Sequence, residues 1–147
     1  MYCDYYLEKE PENCFVATDD NEKVIGYILC AEDFDSFRGV FEDEFCTRIA
    51  EWEFRRRKSA MRSIIPHEKY KDEYPAHLHI DILPEYQRMG LGHKLTDELL
   101  KHLRKKNVEG IMLTTWIKNE KGRRFYEKYG FTLLEEMKNC AVYGIKL

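Results

Sequence analysis

Hydrophobic and polar positions divide the first half of the chain into a hairpin, a helical segment and a loop. Strand-like apolar runs at residues 14–18 and 24–31 flank a short polar stretch, which indicates a β-hairpin. From residue 35 to about residue 61 the pattern is helical, with large apolar side chains every three or four positions. The polar, aromatic-rich stretch 65–75 is typical of a loop. The apolar positions of the helical segment are Phe37, Phe41, Phe45, Ile49, Trp52 and Phe54.

The second half of the chain alternates strands and helices. The predicted strands are 76–83, 110–116, 131–137 and 140–147, and the predicted helices are 90–106 and 119–130. A strand-helix-strand unit of this kind is usually a right-handed parallel crossover. At 147 residues the chain is expected to form one domain, residues 1–147, of the α/β (α+β) class with a mixed sheet.

Composition narrows the classes of function. With 27 acidic and 24 basic residues the chain is not strongly basic, so nucleic acid is not expected as a partner. No apolar run approaches the ~18 residues of a membrane span, so no membrane association is expected. The five cysteines form no C-x-x-C pair, their number is odd, and no signal peptide precedes them. We therefore predict reduced thiols, no metal site and a cytoplasmic protein.

The stretch Gln87-Arg88-Met89-Gly90-Leu91-Gly92 links a predicted strand to a long predicted helix. A helix N-terminus exposes unpaired N–H groups, and glycines allow a bulky anion to approach them. The stretch lacks the Gly-Lys-Ser/Thr ending of a P-loop and the full G-x-G-x-x-G of a dinucleotide site. Taken alone, it fits a phosphate site or a simple strand-to-helix turn.

The same stretch matches the Q/R-x-x-G-x-G/A motif and so resembles the GNAT N-acetyltransferase superfamily. It follows a strand that ends in Ile82-Leu83-Pro84, and "NEKGRRFYEKYGF" further on is similar to that superfamily's second motif. The resemblance covers roughly residues 13–147, and "YPAHLHIDILPEYQ" is similar to the acetyltransferase-like domain of bacterial O-GlcNAcases. It implies a mostly antiparallel sheet with a splayed parallel strand pair and helices on both faces.

The resemblance also implies an acetyl-CoA site. Backbone N–H groups from Arg88 to His93 would bind the pyrophosphate, and free backbone groups of the strand end would pair with the pantetheine arm. Asn119 would bond the arm near its thiol end, although a plain helix cap is an equal explanation of this residue. The residues expected to bind the cofactor are Ile82, Leu83, Gln87, Arg88, Met89, Gly90, Leu91, Gly92, His93, Asn119 and Tyr126.

Acetyl transfer to an amine benefits from a general acid and a general base. By the resemblance, Tyr126 is the candidate acid; a buried packing tyrosine is the alternative. His77, His79 and Asp81 alternate along one strand and so share one sheet face. A solvated strand face would explain this polar stripe, whereas the sharper hypothesis makes Asp81, ranked before His79, the catalytic base.

The N-terminal part departs from the superfamily pattern. The superfamily usually has a strand and two helices before the hairpin, and this chain has only "MYCDYYLEKEPEN" there. Because those helices form a wall of the acceptor pocket, three explanations stay open. They are a shortened chain, a pocket completed in a homodimer, and replacement by residues 35–75, with residues 76–131 as the acetyl-CoA core.

Two functions follow as expectations. The first is an acetyl-CoA-dependent N-acetyltransferase of the EC 2.3.1 class that transfers an acetyl group directly to a primary amine of a small molecule or amino sugar. The second is a non-catalytic acyl-CoA-binding module. Only the first predicts release of CoA that depends on an added amine.

Overall fold

A six-stranded mixed sheet forms the centre of the computed structural model, which describes residues 3–48 and 53–147. The strands are β1 (Cys14–Thr18), β2 (Val24–Ala31), β3 (Ala76–Ile82), β4 (Gly110–Trp116), β5 (Thr132–Glu136) and β6 (Cys140–Lys146). Their order across the sheet is β1-β2-β3-β4-β6-β5. The pair β3 and β4 is parallel and the other neighbouring pairs are antiparallel, which confirms the predicted mixed sheet.

The helices lie on both faces of the sheet. In the described ranges they are α1 (Asp4–Lys9), α2 (Phe34–Val40), α3 (Phe54–Ser63), α4 (Ile65–Tyr70), α5 (Leu91–Lys105) and α6 (Glu120–Tyr129). A π-helical turn, Phe41–Phe45, continues α2, and short 3₁₀ turns cover Pro11–Asn13 and Pro84–Tyr86. None of the helices in the described ranges is both long and apolar enough to span a bilayer.

Helices α5 and α6 pack on one side of the sheet, which we call the leucine face. The spacing of its apolar residues turns one side of α5 towards the sheet, and those residues are buried. They are Leu95, Leu99, Leu100 and Leu103. Against them lie Leu78 of β3 and Leu113 of β4, together with Tyr126 of α6. Helix α6 begins at its cap Asn119 and ends at Gly130, whose φ of 118° is left-handed, as the sequence predicts.

The helices α1 to α4 pack on the opposite side, which we call the aromatic face. Its core combines ring side chains with Leu29 and Ala31 of β2. The rings belong to Tyr5, Tyr6, Phe34, Phe37, Phe41 and Phe45. Buried Phe37, Phe41 and Phe45 confirm the predicted helical periodicity. Ile49 and Trp52 lie outside the described residues.

The predicted loop at residues 65–75 is wrong in its first half, where α4 (Ile65–Tyr70) forms instead. Pro66 suggested a loop, but proline is accepted in the first turn of a helix because that N–H has no intrahelical partner. Pro66 and His67 are buried, so tertiary packing stabilises this short helix.

Candidate functional site

The parallel strands β3 and β4 separate soon after they begin. They pair only at Ala76–Ile111 and His77–Met112, whereas β3 stays paired with β2 as far as Ile82. Among the described strands, none pairs with the β4-facing edge of β3 beyond His77. The gap therefore offers free strand edge to an extended ligand, as in strand addition.

The backbone of Ile82 faces this gap and is held by two side chains. Its N–H donates to Oδ1 of Asp81 at 2.9 Å, and its carbonyl accepts from Nε2 of Gln87 at 2.9 Å. Asp81 and Gln87 are exposed, so a ligand with its own donor and acceptor can replace both contacts.

Leu83 differs from Ile82. Its N–H donates to the carbonyl of Ile25 at 2.9 Å, and its carbonyl accepts from the N–H of Tyr86 at 2.9 Å. The expectation that Leu83 has free backbone groups is therefore wrong, because β2 uses its N–H and the 3₁₀ turn after β3 uses its carbonyl.

The turn from Arg88 to His93 presents open backbone donors at the entrance of α5. Within the described part of the chain, none of these six N–H groups donates a hydrogen bond to a protein acceptor. Arg88 and Gly90 have left-handed φ values of 65° and 80°. The side chains of Arg88 and Met89 are exposed, whereas Leu91 is partly buried. A helix of 15 residues with a free N-terminus suits a pyrophosphate.

The two glycines of the turn serve different purposes. A Cβ on Gly92 would lie 3.0 Å from the ring of Phe125, so Gly92 permits close packing of α5 on α6. A Cβ on Gly90 would meet nothing within 4 Å, and its positive φ is what favours glycine there. The ring of His93 packs edge-on to Phe125, with 5.2 Å between centroids.

Tyr126 is a buried tyrosine whose hydroxyl has no hydrogen-bond partner among the described residues. Its ring contacts those of Phe125 and Tyr143. Burial, followed by the charge of Asp81, raises the pKa of Tyr126 to about 12. The phenol thus stays protonated at neutral pH.

The polar stripe of β3 is divided between a buried part and an exposed end. His77 is buried, with its Nε2 3.0 Å from the hydroxyl of Tyr6, and burial lowers its pKa well below the usual value. His79 is partly buried beside Tyr6, and burial lowers its pKa too. Asp81 is exposed. The helices of the aromatic face cover the two histidines. The explanation of the polar stripe as a solvated strand face therefore holds for Asp81 only.

Asn119 makes a helix cap with its whole amide. Its oxygen accepts from the N–H of Gly122 at 3.1 Å, and its Nδ2 donates to Oγ1 of Thr115 at 2.9 Å. These contacts agree with the cap explanation, and the contact of Asn119 with a pantetheine arm stays a prediction.

Tyr27 was missed by the sequence analysis. It lies opposite Asp81 in the register of β2 and β3, so both side chains share one face of the sheet. Burial raises the pKa of Tyr27, with further contributions from Cys3 and Asp81. The only signal in the sequence would have been the pairing register, which hairpin spacing alone does not determine.

The fold and the open turn agree with a comparison of the sequence to protein families. The sequence model of the acetyltransferase (GNAT) family matches residues 1–131. The chain belongs to the GNAT family of acetyltransferases. Acetyl-CoA is the acetyl donor of this family, and the open N–H groups of the turn and the free edge of β3 fit it.

Individual GNAT relatives cover most of the chain. N-alpha-acetyltransferase 30 of Schizosaccharomyces pombe is 26% identical over 127 residues, which are 86% of this chain. The chain spans only 62% of the length of that relative. The crystal structure of SsHAT superposes with a TM-score of 0.84 and 26% identity, covering 96% of this chain and 75% of SsHAT.

A more distant GNAT structure supports the fold alone. The PaiA N-acetyltransferase from Thermoplasma acidophilum, solved in complex with coenzyme A, has a TM-score of 0.56 and 18% identity. The match covers 88% of this chain and 57% of PaiA. In the described part of the chain, His, Cys, Asp and Glu form no group of three or more that could hold a metal ion.

Proposed function

We propose that this protein is an acetyl-CoA-dependent N-acetyltransferase that transfers the acetyl group directly to a primary amine. The observation that carries the proposal is the splayed pair β3 and β4, with the open turn at one end of the gap. Asp81 lies near the end of β3, and its charge contributes to the raised pKa of Tyr126. The proposal thus combines a cofactor site with a candidate acid on the leucine face and a candidate base on the aromatic face.

Binding of the cofactor is assigned to backbone groups. The N–H groups from Arg88 to His93 would hold the pyrophosphate, and the N–H and carbonyl of Ile82 would pair with the pantetheine arm. Asp81 and Gln87 would release these two groups of Ile82 as the arm enters. When bound, acetyl-CoA supplies an activated acetyl thioester.

Tyr126 is assigned as the general acid. Its hydroxyl keeps its proton at neutral pH and has no described protein acceptor, so it is ready to protonate a leaving thiolate. Holding both reactants in one cleft can supply about 7 to 11 kcal/mol, and a positioned acid or base adds roughly 10²- to 10⁴-fold.

Asp81 is assigned as the general base, before His79. Its carboxylate is exposed on the aromatic face beside the gap, where it can take a proton from an incoming ammonium group. His79 is the second candidate, because burial lowers its pKa and thereby disfavours the protonated form that a base must reach. The proton of the acceptor amine leaves towards this side of the sheet in either case.

The acceptor class is a primary amine of a small molecule or amino sugar. The relative from Schizosaccharomyces pombe is an N-alpha-acetyltransferase by name, so the N-terminus of a polypeptide belongs to the test as well. The similarity to the acetyltransferase-like domain of O-GlcNAcases, the homodimer and the cytoplasmic location stay predictions. The division into a cofactor core, 76–131, and an acceptor side, 35–75, is part of this proposal.

The test combines binding with turnover. Calorimetry measures acetyl-CoA binding, and thiol release is followed over a panel of small amines, amino sugars and short peptides. We expect micromolar binding and thiol release that depends on the amine. Binding without release for every acceptor would instead favour the non-catalytic acyl-CoA-binding module.

A further inference from the structure

A row of side chains crosses three strands beside the gap. Val16 lies opposite Tyr27, and Tyr27 lies opposite Asp81, so the three side chains share the aromatic face. The side chain of Val16 is 59% exposed, Asp81 is exposed and Tyr27 is partly buried. Solvent therefore reaches this row from the side on which the acceptor would enter.

Helix α1 covers the neighbouring row, whereas in this row only Tyr27 is in contact with the start of that helix, through its cap residue Cys3. Cys14, Leu29 and His79 form that next row, and the ring of Tyr6 lies 5.4 Å from the ring of His79. The row of Val16, Tyr27 and Asp81 thus forms an open shelf along the edge of the helical layer.

Trp116 lies on the other side of the gap. Met112 and His77 are paired, so Met112 and, by alternation, Trp116 belong to the same sheet face as the shelf. Trp116 is fixed by pairing with Cys140 of β6, and its side chain is 61% exposed. Nζ of Lys118 lies 5.8 Å from the centre of its ring.

Parallel strands end at the same edge of a sheet, so Trp116 and Asp81 are at the same end of the gap.

The charge and the apolar surface of these side chains indicate which kind of acceptor would bind. Asp81 complements one positive charge, while Val16, Tyr27 and Trp116 offer apolar or aromatic surface next to it. A hydroxylated acceptor would lose water on such surface without gaining equivalent hydrogen bonds.

We infer that Tyr27 and Trp116 are specificity-determining residues that select a primary amine bearing an apolar or aromatic group near its nitrogen. This inference rests on the proposed function and narrows its acceptor class away from amino sugars. Arylalkylamines and polypeptide N-termini with a large apolar first residue share this chemistry.

The test measures binding and turnover in the same samples. Phenethylamine and glucosamine are titrated by calorimetry into the full chain saturated with CoA, and thiol release from acetyl-CoA is followed for both. We expect phenethylamine to bind at least tenfold more tightly. Tyr27→Ala and Trp116→Ala should each remove most of this preference, with KM for phenethylamine rising more than kcat falls.

Leu133→Ala is the matched control. Leu133 is also an exposed apolar residue, 40% exposed, but it pairs with Tyr143 and therefore lies on the leucine face. Its replacement should leave the preference unchanged. Thermal unfolding of all three variants shows whether each remains folded.

Equal affinity for the two amines, no measurable binding of phenethylamine, or a preference that survives both alanine variants would each overturn the inference. A binding preference without thiol release would support the inference and contradict the proposed function. Thiol release without a binding preference would support the proposed function and contradict the inference. A peptide beginning with phenylalanine, compared with phenethylamine by kcat/KM, then distinguishes a polypeptide N-terminus from a small amine.

Discussion

The two faces of the sheet differ in the helices that cover them and in the side chains that pack between helices and sheet. The leucine face is covered by α5 and α6, of 15 and 10 residues, which follow β3 and β4 in the chain. The aromatic face is covered by short helices of 6 to 10 residues with ring side chains between them. Helices of this length are marginal alone, so the second layer depends on its tertiary contacts.

Buried polar groups follow the same division. His67 and His77 are buried on the aromatic face and Thr96 on the leucine face, while Glu10 and Asn13 lie between the two layers, since Asn13 also bonds with His102 of α5. The leucine face thus carries the open turn and Tyr126 on an apolar support. The aromatic face carries polar groups whose state depends on pH and on the position of α1. We expect changes at the open turn and at Tyr126 to alter cofactor binding and turnover, and changes at the buried polar groups of the aromatic face to alter stability.

The largest effect is expected from Tyr126→Phe. Loss of the hydroxyl removes the proposed acid while keeping the ring among its neighbours, so kcat should fall roughly 10²-fold or more. The affinity for acetyl-CoA and the unfolding temperature should stay close to wild type. Thiol-release kinetics with calorimetry measure these quantities, and wild-type turnover would remove Tyr126 from the mechanism.

Glu10→Ala should destabilise the aromatic face without disturbing the cofactor. Its Oε1 accepts from the hydroxyl of Tyr5 at 2.7 Å, and its Oε2 accepts from Nδ2 of Asn13 and from the N–H of Glu32. Losing these charged hydrogen bonds should cost about 3 kcal/mol of unfolding free energy. Urea unfolding measures the loss, while the affinity for acetyl-CoA should remain.

Glu8→Ala is the control for Glu10→Ala. Glu8 lies on the exposed side of α1 and pairs with Arg48 at 2.7 Å, and its loss should cost far less stability than the loss of Glu10, because solvent screens the pair. Equal costs for the two variants would show that the buried network does not hold α1 in place.

The buried histidines predict acid sensitivity. Burial lowers the pKa of His67 to about 4 and that of His77 well below its usual value, so both are neutral when folded. The unfolded chain binds their protons below pH 6.5, so this stability is present above pH 6.5 and is lost as pH falls towards 4. Each histidine contributes a slope of up to about 1.4 kcal/mol per pH unit.

His67→Phe should reduce the dependence of the unfolding free energy on pH by the contribution of one histidine. The ring of His67 stacks on Phe34 at 5.9 Å, so phenylalanine keeps the packing and removes the titrating group. Urea unfolding at pH 7.5, 6.5 and 5.5 measures the slope. An unchanged slope would mean that His67 does not titrate between the folded and unfolded states.

The sequence predicts the features that depend on a few neighbouring residues, and it does not predict those that depend on distant elements. Asn119 and Gly130 mark both ends of α6, and the polar turn after Thr18 marks the hairpin, because caps and turns act over a few residues. The burial of His77 and the use of the Leu83 backbone depend on distant elements. No periodicity within β3 reveals that Tyr6 of α1 lies over one end of its polar stripe and leaves the other open.

The most direct test of the central claim is acetyl-CoA binding to Gly90→Leu, measured by calorimetry beside wild type and Gly39→Leu. Neither glycine has a neighbour within 4 Å of an added Cβ, but only Gly90 stands at the open turn. The left-handed φ of Gly90 should cost about 1 kcal/mol of stability, which leaves a folded protein. We predict at least tenfold weaker binding for Gly90→Leu and wild-type binding for Gly39→Leu. Equal affinity in all three proteins would contradict the assignment of this turn as the pyrophosphate site.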